Sequence, residues 1–288
     1  MFFKNKKFVL CITTLLFCCM IPMNVRCETY DTLENTIQKV EDAKSMHTSV
    51  SMTMEVDAFG FDVETEAEID MISFKSPYKV QSEISLDMGL LGEKEWTVYG
   101  AKKDGTYQIY EKNNKKWNAR EAQAKELLKY DGRNLMKIFL SQIEDLEKEG
   151  IQKKDGRQVV KYSGVITGEG QKKILLDAGC VELVDKLFKN SVLKPFGTLV
   201  EQQDKIEEMM KMSVDLPITL WVDKESGYPI QCKMDITEMI GDSYKDLTES
   251  MSSDKLRKLA EKVKINRTQI IIECDDFNAA DNFVLPIN

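Results

Sequence analysis

Apolar and polar residues follow a helical spacing at the start of the chain body and then alternate with period two. From Asp31 to Ser45, Leu33, Ile37 and Val40 recur at helical intervals behind an acid-rich start, which predicts an amphipathic helix. Beyond it, Val50, Met52, Met54, Val56 and Ala58 alternate with Ser51, Thr53, Glu55 and Asp57. After a turn at Phe59-Gly60, Phe61, Val63, Ala67, Ile69 and Met71 share one face, and Asp62, Glu64, Glu66, Glu68 and Asp70 take the other. Lys75-Ser76-Pro77 interrupts the run, and Tyr78, Val80, Ile84, Leu86 and Met88 resume it. Segments 95–103 and 106–111 follow, split by Lys103-Asp104-Gly105. Five strands joined by short turns predict an antiparallel meander with one apolar and one strongly polar face.

The middle of the chain reads as helical. Helices are predicted over 119–130 and 134–147, the second carrying Leu135, Ile138, Phe139, Ile143 and Leu146 in one stripe. A strand over 157–167 precedes two more helices, near 180–190 and around Ile206, Met209 and Met210. Strands return at 216–223 and 228–238, joined by the hairpin signal Lys224-Glu225-Ser226-Gly227. Ser253-Asp254 opens a last helix, and 266–275 is a closing strand. No Pro/Ser/Gly-rich linker divides the body, so residues 28–288 are expected to form one α+β domain built on a large antiparallel sheet.

The first 27 residues differ in kind. Lys4, Lys6 and Lys7 precede an apolar run from Phe8 to Met23, which is shorter than the roughly 20 residues a membrane span needs. This is the layout of an export signal, with cleavage expected before Glu28. Cys27 invites lipidation, but Arg26 stands where the lipidation signal wants a small residue, so release or uncleaved tethering is the expectation.

Charge then removes whole classes of function. The 288 residues carry a net charge of −8, and the first 27 hold four of the basic residues and no acid, which leaves about −12 on the remainder. Such a body is poorly suited to nucleic acid, where affinity comes from neutralising phosphates, or to anionic lipid. A single His, His47, rules out any multi-His metal site, and its place between a predicted helix and a predicted strand suits a surface or turn role. Ser76-Pro77-Tyr78-Lys79 matches S-x-x-K, yet so do Ser191 to Lys194 and Ser252 to Lys255, and the KTG and SDN partners are missing. Gly164, Gly168 and Gly170 lack dinucleotide-binding spacing. The carboxylates of Glu64, Glu66, Glu68 and Asp70 stand about 6.6–7 Å apart along a strand, too far for neighbours to chelate one Ca²⁺ at about 2.4 Å. No catalytic residue, metal or cofactor is expected.

Three cysteines remain beyond the export segment: Cys180, Cys232 and Cys274. They show no CxxC spacing, which speaks against zinc. Cys232 and Cys274 each fall on the apolar face of a predicted strand, where a disulfide and a pair of buried free thiols are both open. Twelve of the fifteen methionines lie beyond residue 27, and Met52, Met54, Met71, Met88 and Met234 occupy apolar strand faces. Met suits surfaces that accept varied apolar partners, and equally suits an ordinary core.

Two phrases carry a family resemblance: Lys75-Ser76-Pro77-Tyr78-Lys79-Val80 after the second strand, and Ile218-Thr219-Leu220-Trp221-Val222-Asp223-Lys224 followed by Gly227-Tyr228-Pro229-Ile230. Together with the export segment and the order of elements, they make the chain resemble the LolA/LppX-like half-barrel proteins, over most of 30–275. The resemblance implies a large curved antiparallel sheet, a half-barrel, with helices covering its concave face over an apolar cavity that carries or senses lipids. No single site residue transfers by motif, because acyl chains are gripped by generic apolar side chains. Alternation nominates the lining instead: Met52, Met54, Ile69, Met71, Ile84, Leu86, Trp96, Leu220 and Met234. The reading is therefore an exported, non-enzymatic, monomeric protein of the cell envelope that binds lipid or another hydrophobic molecule. The competing reading is a cell-surface structural or interaction module with a filled core and an envelope protein as partner.

Overall fold

In the computed structural model, residues 32–286 are described except for 88–91, 114–115, 178–213 and 250–253. The export segment with Cys27, Met88, Cys180 and the helices expected near 180–190 and 206–210 lie outside the described residues. A helix over 32–42, α1, opens the described chain. Six strands follow: β1 (Ser45–Ala58), β2 (Phe61–Phe74), β3 (Lys79–Asp87), β4 (Glu93–Lys103), β5 (Thr106–Asn113) and β6 (Lys116–Ala122). Two helices, α2 (Ala124–Leu128) and α3 (Gly132–Ser141), lead to β7 (Ile143–Lys154), β8 (Arg157–Ile166) and α4 (Gly168–Asp177). The chain ends with β9 (Leu216–Asp223), β10 (Pro229–Asp235), α5 (Thr237–Glu249), α6 (Asp254–Ala260) and β11 (Val263–Asp275).

All eleven strands form one sheet in the order β6-β5-β4-β3-β2-β1-β11-β10-β9-β8-β7. Every neighbour pair is antiparallel. The first and last of the described strands, β1 and β11, meet at the centre, where Val50 faces Ile272 and Thr48 faces Cys274. Residues paired across an antiparallel ladder point to the same face, so the register sorts the side chains. One lateral row on the inner face runs Trp96, Ile84, Ile69, Val50, Ile272, Cys232, Leu220 and Tyr162, from β4 to β8. On the outer face, β2 shows Asp62, Glu64, Glu66, Glu68 and Asp70 in succession.

The inner face carries two separate cores. One joins Leu33 and Val40 of α1 and Met136, Phe139 and Leu140 of α3 to Leu220, Met234 and Ile272 of the sheet. The other, around Val80, Val98 and Ile109, is closed by Leu127 of α2 and by Tyr130. Helix α3 crosses the sheet close to the strands. Its first residue is Gly132, where an added Cβ would stand 2.3 Å from Thr48 Oγ1, and its amide donates to Ser73 Oγ at 3.0 Å. Asp131 caps this helix through the Arg133 amide, at 3.0 Å. On the outer face, the segment after β11 lies across β2 to β4. There Phe283 meets Phe74 and Tyr99, and Lys79 Nζ donates to the Phe283 carbonyl at 2.7 Å.

Several sequence expectations need correcting. The helix expected over 119–130 is strand β6 followed by the short α2. The helix expected over 134–147 stops at Ser141, and its last residues begin β7. The strand expected over 228–238 ends at Asp235, because Asp235 Oδ1 accepts from the Thr237 amide and hydroxyl (3.0 and 2.6 Å) and starts α5. Residues 119–122 of β6 and 143–147 of β7, on the two edge strands, thus carry a helix-like pattern. Edge strand β7 is mostly exposed and charged, and its pairing with β8 is irregular at Glu144/Glu147 and Lys148/Gly150. Such a strand has no apolar alternation to betray it.

Candidate functional site

The register places all nine nominated residues on the inner face. Ile69, Ile84 and Trp96 stand opposite one another across β2, β3 and β4, while Leu86 faces Ala67, which faces Met52. Across the centre, Met52 faces Ile270, which faces Met234. The nine then divide by burial. Met71, Ile84, Leu220 and Met234 are buried, at 1–4% exposure. Met54, Ile69, Leu86 and Trp96 are half-buried, and Met52 is 37% exposed.

The division follows the helices. Helix α3 starts over Thr48 and packs among Leu220, Met234 and Ile272, so it covers the β8–β11 side of the face. Helix α2 covers Gly100 and Val80. Met52, Met54, Ala67 and Leu86 belong to neither core. They form an open apolar strip on β1, β2 and β3, bordered by Ile69 and Trp96. Val50, Ala67 and Ile270, which are not among the nine, contribute to the same surface. Alternation already puts Val50 and Ala67 on the apolar face, and the register adds that Ala67 and Ile270 both stand opposite Met52.

The residues of the strip are themselves uncharged, and Lys94 on β4, opposite Leu86, stands at its border. From the β1–β2 turn inward, the inner positions are Ala58, Val56, Met54 and Met52 on β1, then Phe61, Val63, Thr65, Ala67 and Ile69 on β2. No charged residue interrupts either column. The two thiols of this face are also uncharged: burial pushes Cys232 up to about 12 and raises Cys274 too, the latter beside the Thr48 hydroxyl. Ser82 Oγ, Thr268 Oγ1 and Trp96 Nε1 are buried without a hydrogen-bond partner. Thr48 Oγ1, opposite Met71 on the same face, is unpartnered as well. The apolar lining of the strip suits an apolar molecule.

Cys232 and Cys274 sit on adjacent strands and face the same side. They are nevertheless free, buried thiols, and the disulfide left open by the sequence is not formed. Cys232 stands opposite Ile272 and Cys274 opposite Thr48, so the two are offset diagonally. Diagonal neighbours are about 7–8 Å apart, beyond the usual Cα span of a disulfide.

Two depressions lie elsewhere. One, of about 390 Å³, is bounded by Glu41, Asp42, Lys75, Tyr78, Arg133 and Lys137 among others. The second, of about 360 Å³, lies at the β1–β2 turn. None of the nine lining candidates borders either one. In the first, Lys75 Nζ is 3.3 Å from Asp42 Oδ1, and Lys137 pairs with Glu41. Its charges are therefore matched internally. Burial, with the Asp131 carboxylate next, raises the Tyr78 hydroxyl far above its ordinary value, so it stays protonated.

No family model matches the chain, and no curated protein matches it in sequence. Solved structures do. LprF from Mycobacterium bovis superposes with a TM-score of 0.50 at 13% identity, covering 91% of this chain and 98% of that one. The fold is that of the LolA/LppX-like half-barrels. The Mycobacterium tuberculosis lipoprotein LppX aligns at a TM-score of 0.43 and 14% identity, over 88% of this chain and 96% of that one. A LolA superfamily protein from Nitrosomonas europaea aligns at 0.26 and 8%, over 89% and 94%. In half-barrel terms, the inner face is the concave side, and α1 to α5 pack against it. The expected fold class, an α+β half-barrel with helices on that side, is the one found.

Proposed function

We propose that this protein is an exported, non-enzymatic binder of lipid or another hydrophobic molecule, acting as carrier or sensor at the cell envelope. Residues 1–27 serve as the export signal in this reading, and 28–288 form a single half-barrel domain. The observation that carries it is the open strip Met52, Met54, Ala67 and Leu86, bordered by Ile69 and Trp96. It is apolar, uncharged and outside both cores, on the side of the sheet that a half-barrel turns inward. Flexible, polarizable Met side chains at its centre suit acyl chains of varied shape.

Mass spectrometry of gently purified protein, followed by titration with a fluorescent fatty acid, tests the reading. Met54→Asp should cost no more than about 1 kcal/mol of stability, because the site is open to water, and should abolish uptake. Met71→Asp, at a buried position of the same face, should cost several kcal/mol by burying an unpaired charge. If the wild type takes up no probe and Met54→Asp is as damaging as Met71→Asp, the strip is core, and a surface-interaction module with a filled core replaces the carrier.

A further inference from the structure

Three two-residue hairpin turns in this chain use the same backbone and different chemistry. At Asp104-Gly105 the φ angles are 51° and 83°, at Asp155-Gly156 they are 48° and 79°, and at Phe59-Gly60 they are 59° and 84°. Positive φ at both loop positions is the requirement of a type I′ turn, met at least cost by Asn or Asp followed by Gly. Two of the three turns obey. The β1–β2 turn puts a phenylalanine in the left-handed conformation that bulky side chains avoid. Among the described residues no packing rewards the choice: Phe59 is 54% exposed and its neighbour Phe61 is 73% exposed. The backbone is nonetheless fixed, with the Phe59 amide donating to the Lys262 carbonyl at 3.2 Å and the Gly60 amide to Asp57 Oδ1 at 2.9 Å.

We propose that the β1–β2 tip is a membrane-docking element that seats Phe59 and Phe61 in the interfacial layer of a zwitterionic phospholipid bilayer. Three observations favour a bilayer. The tip pairs its two rings with both signs of charge. Asp57, Glu261, Lys262 and Lys264 surround Phe59 and Gly60 in a shallow depression of about 360 Å³. Lysines there meet lipid phosphates while the acids meet head-group ammonium groups, a match to zwitterionic rather than anionic lipid. The strongly acidic body disfavours anionic surfaces in any case. Finally, the inner columns that start at this tip (Ala58, Val56 and Met54 on β1; Phe61, Val63 and Thr65 on β2; Val263 and Ile265 on β11) bear no charge as far as the open strip. An acyl chain leaving the bilayer at the tip therefore meets an unbroken uncharged track. The proposal extends the ligand-binding reading, and the two fail separately, since probe uptake from solution needs no docking.

Tryptophan placed at the tip reads the insertion directly. In the full chain, Phe61→Trp should add fluorescence that brominated phosphatidylcholine vesicles quench. Ile151→Trp, on an exposed position near the opposite end of the sheet, should escape quenching. The double variant Phe59→Asn/Phe61→Thr supplies residues the turn and strand prefer, so it should fold at least as well. It should bind neutral phosphatidylcholine vesicles at least about tenfold more weakly than the wild type. Absence of quenching at position 61 overturns the proposal. So does a tip-dependent dimer in sedimentation equilibrium with no vesicle binding, which would make a second copy of the chain the occupant.

Discussion

Arg133 grips Asp131 with two hydrogen bonds, Nη2 to Oδ2 at 2.9 Å and Nε to Oδ1 at 3.2 Å, and both side chains are buried. The same guanidinium donates to the Phe74 carbonyl at 3.2 Å and to the Ala43 carbonyl at 3.4 Å. One side chain thus ties the start of α3 to the end of β2 and to the residue after α1. Removing one partner of such a pair strands the other charge away from water. Arg133→Met is expected to lower unfolding stability by about 3–5 kcal/mol in urea titration, and Asp131→Asn in the same chain should recover part of it. A loss under about 1 kcal/mol would mean that the pair is effectively solvated.

The thiols of the inner face give a pH signature. Burial raises Cys232 from an ordinary 9.0 to about 12, so the folded state holds its proton more tightly than the unfolded chain does. The sign follows: this contribution to stability is whole below pH 9 and is lost as pH climbs from 9 towards 12. Chemical denaturation at stepped pH should show the decline, and Cys232→Ala should flatten part of it. Neither Cys232 nor Cys274 should react with an aromatic disulfide reagent at pH 8 until urea is added. Rapid native labelling of both would contradict their burial.

The final segment is held by aromatic packing. Phe283 lies edge-on to Phe74 at 5.9 Å, and Lys79 Nζ is 4.3 Å from the Phe283 ring. Phe283→Ala should cost about 1–2 kcal/mol and should make the bonds after Asp275 sensitive to protease while the sheet keeps its hydrogen-exchange protection. Equal loss of protection in β1 and β11 would show instead that the segment is integral to the centre of the sheet.

Much of this architecture could be read from residue order, and the failures have a common cause. Alternation from Val50 to Leu86 announced strands and their apolar face, because each strand there has one wet side and one dry side. Strands β6 and β7 carry Ala, Glu, Lys and Leu, residues that favour helices in isolation, and only pairing with β5 and β8 makes them strands. A usable signal was present: Asp155-Gly156 is a hairpin turn, and a hairpin ending in β8 demands a strand before it. The same limit applies to the site. Alternation put the nine residues on one face correctly, but whether Met54 is open and Met71 closed depends on the path of α3. That path is set by Gly132 against Thr48 and by the Asp131–Arg133 pair, contacts between residues far apart in sequence. Phe59 was visible as a turn residue; its cost emerged only beside the φ angles of its two Asp-Gly counterparts.

An open sheet, unlike a closed barrel, ends in two rows of unsatisfied amides and carbonyls, the template on which fibrils grow. Here one terminus is β7, whose Glu144, Asp145, Glu147, Lys148 and Glu149 break the ladder's regularity with charge and with irregular pairing. The other is β6, where Lys116, Arg120 and Glu121 are exposed. A strand from a neighbouring molecule would have to bury these charges and follow an uneven ladder to add itself. The architecture thus keeps an accessible interior while refusing lateral growth, so crowding should drive these molecules towards precipitation from the native state far less readily than their long exposed borders would suggest.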